Sequence, residues 1–452
     1  MSVADFIVPM LQSGASSLAS YLAAHVLLCL VPAFFIAGAM MALVPKEAIT
    51  RYLGRDAPRL VSYPMAAVAG FVLAVCSCTI LPLFAGIYKK GAGLGPAITF
   101  LFVGPAINIM AVTYTGVAIG MDIAVARIVL SIVFGIGIGL IMAFIFRGED
   151  QAHDEATNTG DPFARRAAVR PAIWLFMALL LAVLVVGTLG IDLLTNSFAQ
   201  MTLPFAQAEQ WQATLDRLVP YDASQGQEGV SLQGLILIGM LVLIGVTAWL
   251  GLNQVSTGFN RWSWAALATI AITLLVAALS ITPGSDGLVV GFTGRFVSEL
   301  ILMIALGLVA WKRLDDNEVQ VWLWEMWRFV KQIFPLLIAG VFAAGVVRVL
   351  IPPAWIQTVA GQNTVWANMV GVVFGVFMYF PTLVEVPIAK MFLDLGMHRG
   401  PLLAYLMADP ELSIQSILIT AAVIGRKKAW VYVVWVALFS TLAGLIFGWF
   451  SG

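Results

Sequence analysis

The chain contains an internal repeat, and this repeat limits its possible folds more than any other feature. Residues 79–146 align without a gap with residues 384–451, at an offset of 305 positions. Many matched positions are glycine or proline, such as Pro82 with Pro387, Gly95 with Gly400 and Pro105 with Pro410. Two related halves predict two copies of one structural unit, with the functional site where the copies meet.

The composition predicts that both copies lie in a membrane. Of 452 residues, 61% are hydrophobic and 11% are charged, with a mean hydropathy of +0.96. A soluble protein cannot bury so much apolar surface, so we expect the lipid bilayer to be the main partner. The formal net charge is zero, which gives no indication of nucleic acid binding, and we expect no cofactor. Cys29, Cys76 and Cys78 are too few for a disulfide framework.

Apolar runs long enough to cross a bilayer, which takes about 20 residues, occur along most of the chain. Two polar stretches interrupt them, 147–170 with mixed charge and the acidic 194–230. No lysine or arginine precedes Lys46, so a secretory signal peptide is not expected. The apolar runs are 18–44, 60–88, 94–118, 123–146, 171–193, 231–252, 263–282, 288–311, 329–350, 363–393, 402–422 and 429–450.

The placement of positive charge predicts the topology, because lysine and arginine collect in cytoplasmic loops. Loops 45–59 and 89–90 are both predicted to be cytoplasmic, although one apolar run, 60–88, separates them. They share a side only if that run enters the membrane and returns. The same argument for 363–393 gives about ten crossings plus two re-entrant hairpins, with both termini outside. Twelve plain crossings with less regular charge placement is the alternative.

These assignments predict an all-α polytopic membrane protein with two inverted-topology repeats, each carrying a re-entrant broken-helix hairpin. The first transmembrane repeat is expected at 18–146 and the second at 329–451. Each repeat is expected to cross three times, and a middle transmembrane block, 171–311, separates the repeats by four crossings, so the second repeat is inverted relative to the first. The other segments are a cytoplasmic loop at 147–170, an extracytoplasmic loop at 194–230 and a tryptophan-rich interfacial segment at 312–328.

The tip of the first hairpin is a candidate binding site. Pro82 removes a backbone donor, which predicts a helix break near 78–82, and a break at membrane depth is tolerated only inside protein or beside a wet cavity. On an unwound stretch Cys76 and Cys78 can converge on one ligand, together with Thr79. Thiolates suit soft metals, so the pair is also a candidate metal site. The alternative is that these cysteines pack as small apolar residues, as we expect of the isolated Cys29.

The tip of the second hairpin carries an ionisable residue between two prolines. Pro381 and Pro387 predict an open helix around Glu385, with Thr382 beside it. Because a charge at membrane depth is costly, it is a functional hypothesis by default, and we expect Glu385 to exchange protons. The alternative is a structural ion pair with Lys390.

Small and kinking residues follow the first tip. Gly104 and Pro105 are expected to permit a close helix approach and a local kink. Asn108 and its repeat counterpart Ser413 are placed to hydrogen-bond a substrate or the hairpin. The predicted substrate-binding residues are therefore Cys76, Cys78, Thr79, Asn108, Thr382 and Ser413.

Other charged residues in the apolar runs receive structural interpretations. Arg127 is close enough to a span end for its side chain to snorkel. Arg295 and Glu299 are four residues apart and can pair on a helix. Asp409 and Glu411 add acid to the second half, and an interfacial acidic cluster is the favoured interpretation.

Both tips resemble a known family. The segment from Cys76-Ser-Cys-Thr-Ile-Leu-Pro82 to Gly104-Pro-Ala-Ile-Asn108 resembles the bacterial and archaeal permease family that includes organoarsenical efflux permeases. Thr382-Leu-Val-Glu385-Val-Pro387 resembles that family's second-half motif. The resemblance implies efflux of trivalent organoarsenicals or, as in some members, of copper or zinc. The chain departs from the family pattern at Asp409-Pro410-Glu411, where a Gly-Pro with small residues is expected.

The sequence therefore predicts a permease of the cell inner membrane rather than an enzyme. It is expected to export a small thiophilic metalloid compound or soft metal ion by alternating access, with Cys76 and Cys78 binding it. One alternative is a transporter of an unrelated small solute. Another is a membrane thiol oxidoreductase using Cys76 and Cys78, although the second repeat has Pro381 and Leu383 at the matching positions.

Overall fold

The structure, a computed structural model, is largely helical. Helices dominate because an apolar segment in lipid must satisfy its backbone hydrogen bonds internally. The residues that the structure describes are 3–24, 26–55, 57–73, 77–107, 109–151, 170–188, 191–205, 207–219, 221–222, 227–284, 287–348, 355–377 and 382–451.

The described helices fall into the two repeats and the block between them. The N-terminal part has a π-helical turn at Val26–Leu30 and the helices α1 Val3–Ala24, α2 Val31–Leu43, α3 Lys46–Leu53, α4 Arg59–Leu73, α5 Ser77–Lys89, α6 Leu94–Ala106, α7 Ile109–Ala118 and α8 Met121–Ile145. The middle block has α9 Pro171–Thr188, α10 Asp192–Thr195, α11 Ala208–Leu218, α12 Leu232–Gly251, α13 Arg261–Ala278 and α14 Gly294–Arg313. The C-terminal part has α15 Asp316–Arg348, α16 Trp355–Ala360, α17 Val365–Phe377, α18 Thr382–Asp394, α19 Arg399–Leu412, α20 Ile414–Ile424 and α21 Arg426–Ser451.

Many of these helices are long and apolar enough to cross a membrane. Among the described residues there are eight such spans, or nine if α19 and α20, which meet at a bend of 46°, form one. The prediction of an all-α polytopic membrane protein is confirmed at this level. The ten crossings and the re-entrant hairpins stay predictions. The eight spans are Val26–Leu43, Met121–Ile145, Pro171–Thr188, Leu232–Thr257, Arg261–Ala278, Gly294–Arg313, Asp316–Ala343 and Arg426–Ser451.

Helices α4–α8 correspond to α17–α21 at the offset of 305 residues. In each half the third helix of the set, α6 or α19, is buried along its whole length, and the fifth packs on it. Glycine allows this contact in both halves: a Cβ on Gly139 would lie 2.6 Å from the oxygen of Gly95, and one on Gly444 would lie 2.5 Å from the oxygen of Gly400.

In each helix pair that is predicted to form a re-entrant hairpin, the end of the second helix lies close to the residues that precede the first. The amide of Gly93 donates to the oxygen of Leu53 at 2.8 Å and closes the first hairpin, α4–α5. In the second half, the amide of His398 donates to the oxygen of Ala360 at 2.9 Å and closes α17–α18. Across the halves, α5 packs on α20 and α18 packs on α7, so each hairpin contacts the broken helix of the other half.

The middle block also contains β-structure, which corrects the expectation of helices alone. Strands β1 Ser197–Leu203, β4 Ser280–Gly284 and β5 Gly287–Thr293 form an antiparallel sheet in the order β1-β5-β4. A short two-stranded ribbon, β2 Tyr221–Asp222 with β3 Gln227–Glu228, lies in the same polar region. Residues 288–293 were expected to begin a span, but they form β5, because a short apolar run suits a strand as well as a helix.

Residues 312–328 do not form a separate segment. Helix α15 runs without interruption from Asp316 to Arg348 and includes Pro335. Trp322 and Trp327 on this helix are buried, and the indole nitrogen of Trp322 donates to the oxygen of Phe35 at 2.9 Å. These two tryptophans therefore pack against neighbouring helices, whereas Trp311, just before the segment, is exposed.

Candidate substrate site between the two halves

The first hairpin tip lies where α4 gives way to α5. Residues 74–76 lie outside the described residues, so the position of Cys76 stays a prediction. Helix α5 already begins at Ser77 and continues through Pro82, which corrects the expected break at 78–82. The hydrogen bond that Pro82 cannot make involves the carbonyl of residue 78 in the first turn, so its loss weakens only the start of the helix. Cys78 lies in this first turn, and its side chain is not among the described ones.

Cys29, interpreted from sequence as a packing residue, lies at this tip. Its Sγ contacts the hydroxyl of Thr79, which is fully buried and follows Cys78 directly. Cys29 is only partly buried and lies in the π-helical turn that precedes α2. Single π-helical turns occur frequently at functional sites. Sequence reasoning missed Cys29 because nothing in residues 26–30 predicts a π-turn; the only signal was that all three cysteines lie before residue 79.

Gly104 and Pro105 lie near the end of α6, beside the start of α5. A Cβ on Gly104 would lie 2.8 Å from the Cδ1 atom of Ile80, so the glycine permits α5 to approach α6 closely. Pro105 is the penultimate residue of α6, which ends at Ala106. Asn108 lies outside the described residues, between α6 and α7.

At the second hairpin tip, α18 is an uninterrupted α-helix from its first residue. Thr382 is the first residue of α18, and Glu385 lies in its first turn. The helix continues through position 387, so Glu385 does not lie on the open stretch that its two prolines predict. Pro381 is outside the described residues, and the side chains of Thr382 and Pro387 are not among the described ones.

Glu385 forms a buried ion pair with Arg127 of the first half. The Nη2 atom of Arg127 lies 3.0 Å from Oε1 and donates to Oε2 at 3.1 Å, and the two side chains are 0% and 1% exposed. The Nε atom of Arg127 donates to the oxygen of Ala106 at 2.9 Å. A cation suits this position because the last carbonyls of a helix lack intrahelical partners. Arg127 thus joins α6 and α8 of one half to α18 of the other.

This pair corrects two expectations from sequence. Arg127 does not snorkel to a span end, since it is fully buried. Lys390 is not the partner of Glu385, because its ammonium pairs with Asp394 one turn later at the exposed end of α18. The partner of Glu385 lies 258 residues away in the chain, and no local pattern indicates it.

The second half has a matching break between α19 and α20. Ser413 lies in it, fully buried, and its hydroxyl accepts from the amide of Ser416 at 3.4 Å as the N-cap of α20. Asp409 and Glu411 precede it and are 1% and 3% exposed. Both carboxyls therefore lie inside the protein and not on its surface, while their expected position at the membrane interface stays a prediction. Tyr432 donates its hydroxyl to Oε2 of Glu411 at 2.7 Å.

No group of three metal-ligating side chains occurs among the residues whose side chains the structure describes. The metal site predicted at Cys76 and Cys78 lies outside them and stays a prediction. The described part of the site offers a thiol and a hydroxyl at the first tip, an ion pair between the halves, and two buried carboxyls at the second break.

Comparisons with known proteins cover nearly the whole chain. The family model ArsP_1, described as a predicted permease, matches residues 12–449. The chain is similar to UPF0718 protein MJ0584 of Methanocaldococcus jannaschii, with 34% identity over 449 residues that cover 99% of this chain and 98% of that protein. No solved structure matches the chain.

Proposed function

The chain belongs to the predicted permease family ArsP_1, and from this membership we propose that it exports a small thiophilic solute by alternating access. Its apolar helices and its family make it a multi-pass membrane permease. The proposed cargo is a trivalent organoarsenical-like compound or a soft metal ion, and the proposed location is the cell inner membrane.

The observation that carries the choice of cargo is the contact between Cys29 and Thr79. Through it, Cys29 adjoins the start of α5, which carries Cys78 and which Cys76 directly precedes in the sequence. Cys76 and Cys78 bind the cargo in this proposal, and Cys29 stands close enough to stabilise the tip that carries them. Soft donors select soft, thiophilic centres, whereas an unrelated solute needs no such convergence of thiols.

The ion pair between Arg127 and Glu385 supports a mechanism for the cycle. It connects the second hairpin to the first half, so breaking it frees the hairpin to move. A proton that binds Glu385 neutralises the carboxylate and weakens its hold on Arg127. Proton binding and hairpin movement are thereby linked, which is the coupling that proton-driven export requires.

A resistance assay tests the cargo. A strain that lacks the gene is challenged with methylarsenite, arsenite, copper, zinc or cadmium, and rescue by the cloned gene is measured at matched protein levels. We expect sensitivity to at least one of them and rescue by the wild type. Cys76→Ser and Cys78→Ser are each expected to abolish rescue, because a single thiolate loses chelation. Cys29→Ser is expected to weaken it on the order of tenfold, as is typical of residues that support ligands.

The alternatives predict different outcomes. Full rescue by the Cys76→Ser/Cys78→Ser double variant would leave the thiols without a role and favour an unrelated solute. A thiol oxidoreductase would change the redox state of extracytoplasmic thiols without moving any of the five challenge compounds.

A further inference from the structure

The two halves place different chemistry at the same helix break. In the first half, α6 ends at Ala106 and Arg127 donates to its carbonyl oxygen. The repeat counterparts of these residues, 305 positions later, are Glu411 and Tyr432. There the tyrosine hydroxyl donates to the Glu411 side chain at 2.7 Å. The second half thus has a carboxyl and a neutral donor where the first half has a backbone carbonyl and a cation.

No cation contacts Glu411 within the described part of the chain. Its helix, α19, packs against α6, α8, α17, α18, α20 and α21. Helices α6, α17 and α20 contain no titratable residue. The titratable groups that the others bring near the break are Arg127 on α8, Glu385 on α18, Tyr432 on α21, and Tyr405 and Asp409 on α19 itself.

The cations of these helices have other partners. Arg127 is paired with Glu385. Lys428, one turn before Tyr432, donates to the hydroxyl of Tyr88 at 3.3 Å and lies 3.6 Å from Glu149. The remaining charged residues of α8, α18, α19 and α21 lie toward helix ends, and they are Asp122, Lys390, Asp394, Arg399, Arg426 and Lys427.

This environment favours the neutral form of Glu411. A buried carboxylate without a cation is far more costly than a buried carboxylic acid that makes a hydrogen bond. Oε2 accepts the bond from Tyr432, whereas Oε1 has no hydrogen-bond partner among the described residues and is free to carry a hydrogen. The side chain is 3% exposed and lies two residues before Ser413, at the 46° bend between α19 and α20.

We propose that Glu411 is a proton-binding site, distinct from the Arg127–Glu385 pair, which holds its proton in this conformation and releases it when water reaches the break. Its part in the cycle rests on the proposed permease activity, but its protonation does not. In this proposal the second half contributes a proton-carrying group at the helix break, and the first half contributes the fixed cation.

Infrared spectroscopy of the full-length protein in lipid tests the protonation directly, with the proton as the probe. At neutral pH the wild type is expected to show the carbonyl band of a buried carboxylic acid. Glu411→Gln should lose the contribution that Glu411 makes to this band, and Glu385→Gln should keep it. Tyr432→Phe retains the acid but removes its hydrogen bond, so the band should shift to higher frequency. Other buried carboxyls, such as Glu299 and Asp409, add equally to both spectra, so the absence of a carboxylic acid band from the difference spectrum of wild type minus Glu411→Gln would overturn the proposal.

Proteoliposomes test the release of the proton, with methylarsenite as the transported probe. A pH gradient should drive uphill transport by the wild type, and Glu411→Gln should lose that response at least tenfold while keeping equilibrium exchange. Gradient-driven transport by Glu411→Gln at the wild-type rate would overturn proton exchange at this residue. Failure of the wild type to transport methylarsenite would count against the proposed cargo alone, because the infrared comparison of the variants decides the proton site in either case.

Discussion

At the residue scale, the contact that most constrains the mechanism is the buried pair of Arg127 and Glu385. A buried ion pair adds little net stability, because desolvation offsets much of the attraction. Removing one partner is different, since it leaves an uncompensated charge inside the protein. The pair therefore serves to connect the two halves in this conformation and adds little to the free energy of unfolding.

A double-mutant cycle tests the interaction between Arg127 and Glu385. Arg127→Met should destabilise the protein by about 3–5 kcal/mol because Glu385 is left as an unpaired buried charge. The double variant Arg127→Met/Glu385→Leu should lose much less than the sum of the two single changes. Thermal unfolding in detergent measures the effect. Lys390→Met, which breaks an ion pair whose side chains are 42% and 60% exposed, is the matched control and should change stability by less than about 1 kcal/mol. Strictly additive losses in the cycle would contradict a direct pair.

The sequence indicated Glu385 but not its environment. A carboxyl within an apolar stretch is visible in any sequence, because its cost is local. Its partner is visible only after two halves have packed, because Arg127 and Glu385 lie 258 positions apart. Cys29 was missed because nothing in residues 26–30 predicts its π-helical turn and because its contact with Thr79 joins two separate helices.

At the scale of elements, apolar runs predicted the long helices well and the interruptions poorly. The run 171–193 corresponds to α9, Pro171–Thr188, and 123–146 to α8, Met121–Ile145. The expected break at Pro82 failed because a proline near the start of a helix removes a bond only from the first turn. The β4–β5 hairpin was not predicted, because a short apolar run such as 288–293 fits a strand as well as a helix.

Glycine contacts between helices are the element-scale feature that mutation can test most cleanly. A Cβ on Gly139 would lie 2.3 Å from Thr99 Oγ1 and 2.6 Å from the oxygen of Gly95, so α6 and α8 must separate to accept it. Gly139→Ala and the repeat-related Gly444→Ala should each destabilise the protein by about 1–3 kcal/mol through overpacking. Gly245→Ala on α12 is the control: no atom lies within 4 Å of its Cβ position. That change should be neutral or stabilise by up to about 1 kcal/mol through helix propensity. Equal shifts in unfolding temperature for all three variants would exclude the close-contact explanation.

At the scale of the whole molecule, contacts between residues near helix ends define two ends of the protein. At one end, here called the basic end, Lys427 pairs with Glu149 at 3.2 Å and Lys428 bonds Tyr88. At the other end, called the Asp122 end, Asp122 pairs with Arg399 at 2.7 Å. Helix α8 runs from the Asp122 end to the basic end, a length of about 37 Å. Its counterpart α21 begins at Arg426 on the basic end, so the two equivalent helices run antiparallel.

These contacts lead to a prediction of membrane orientation that can fail in two separable ways. In a background with Cys29, Cys76 and Cys78 replaced by serine, single cysteines are placed at exposed positions of both ends. Those at the basic end are Arg51→Cys, Glu149→Cys and Lys427→Cys, and those at the Asp122 end are Asp122→Cys and Asp394→Cys. Lysine and arginine favour the cytoplasm, so a membrane-impermeant maleimide should label Asp122→Cys and Asp394→Cys on intact cells. The other three should react only after the membrane is opened.

If all five positions exchange sides together, the predicted orientation is wrong and the fold stands. If Arg51→Cys and Lys427→Cys react from opposite sides, the two positions do not share one face of the membrane, and the number of crossings predicted between them, which depends on both re-entrant hairpins, is wrong.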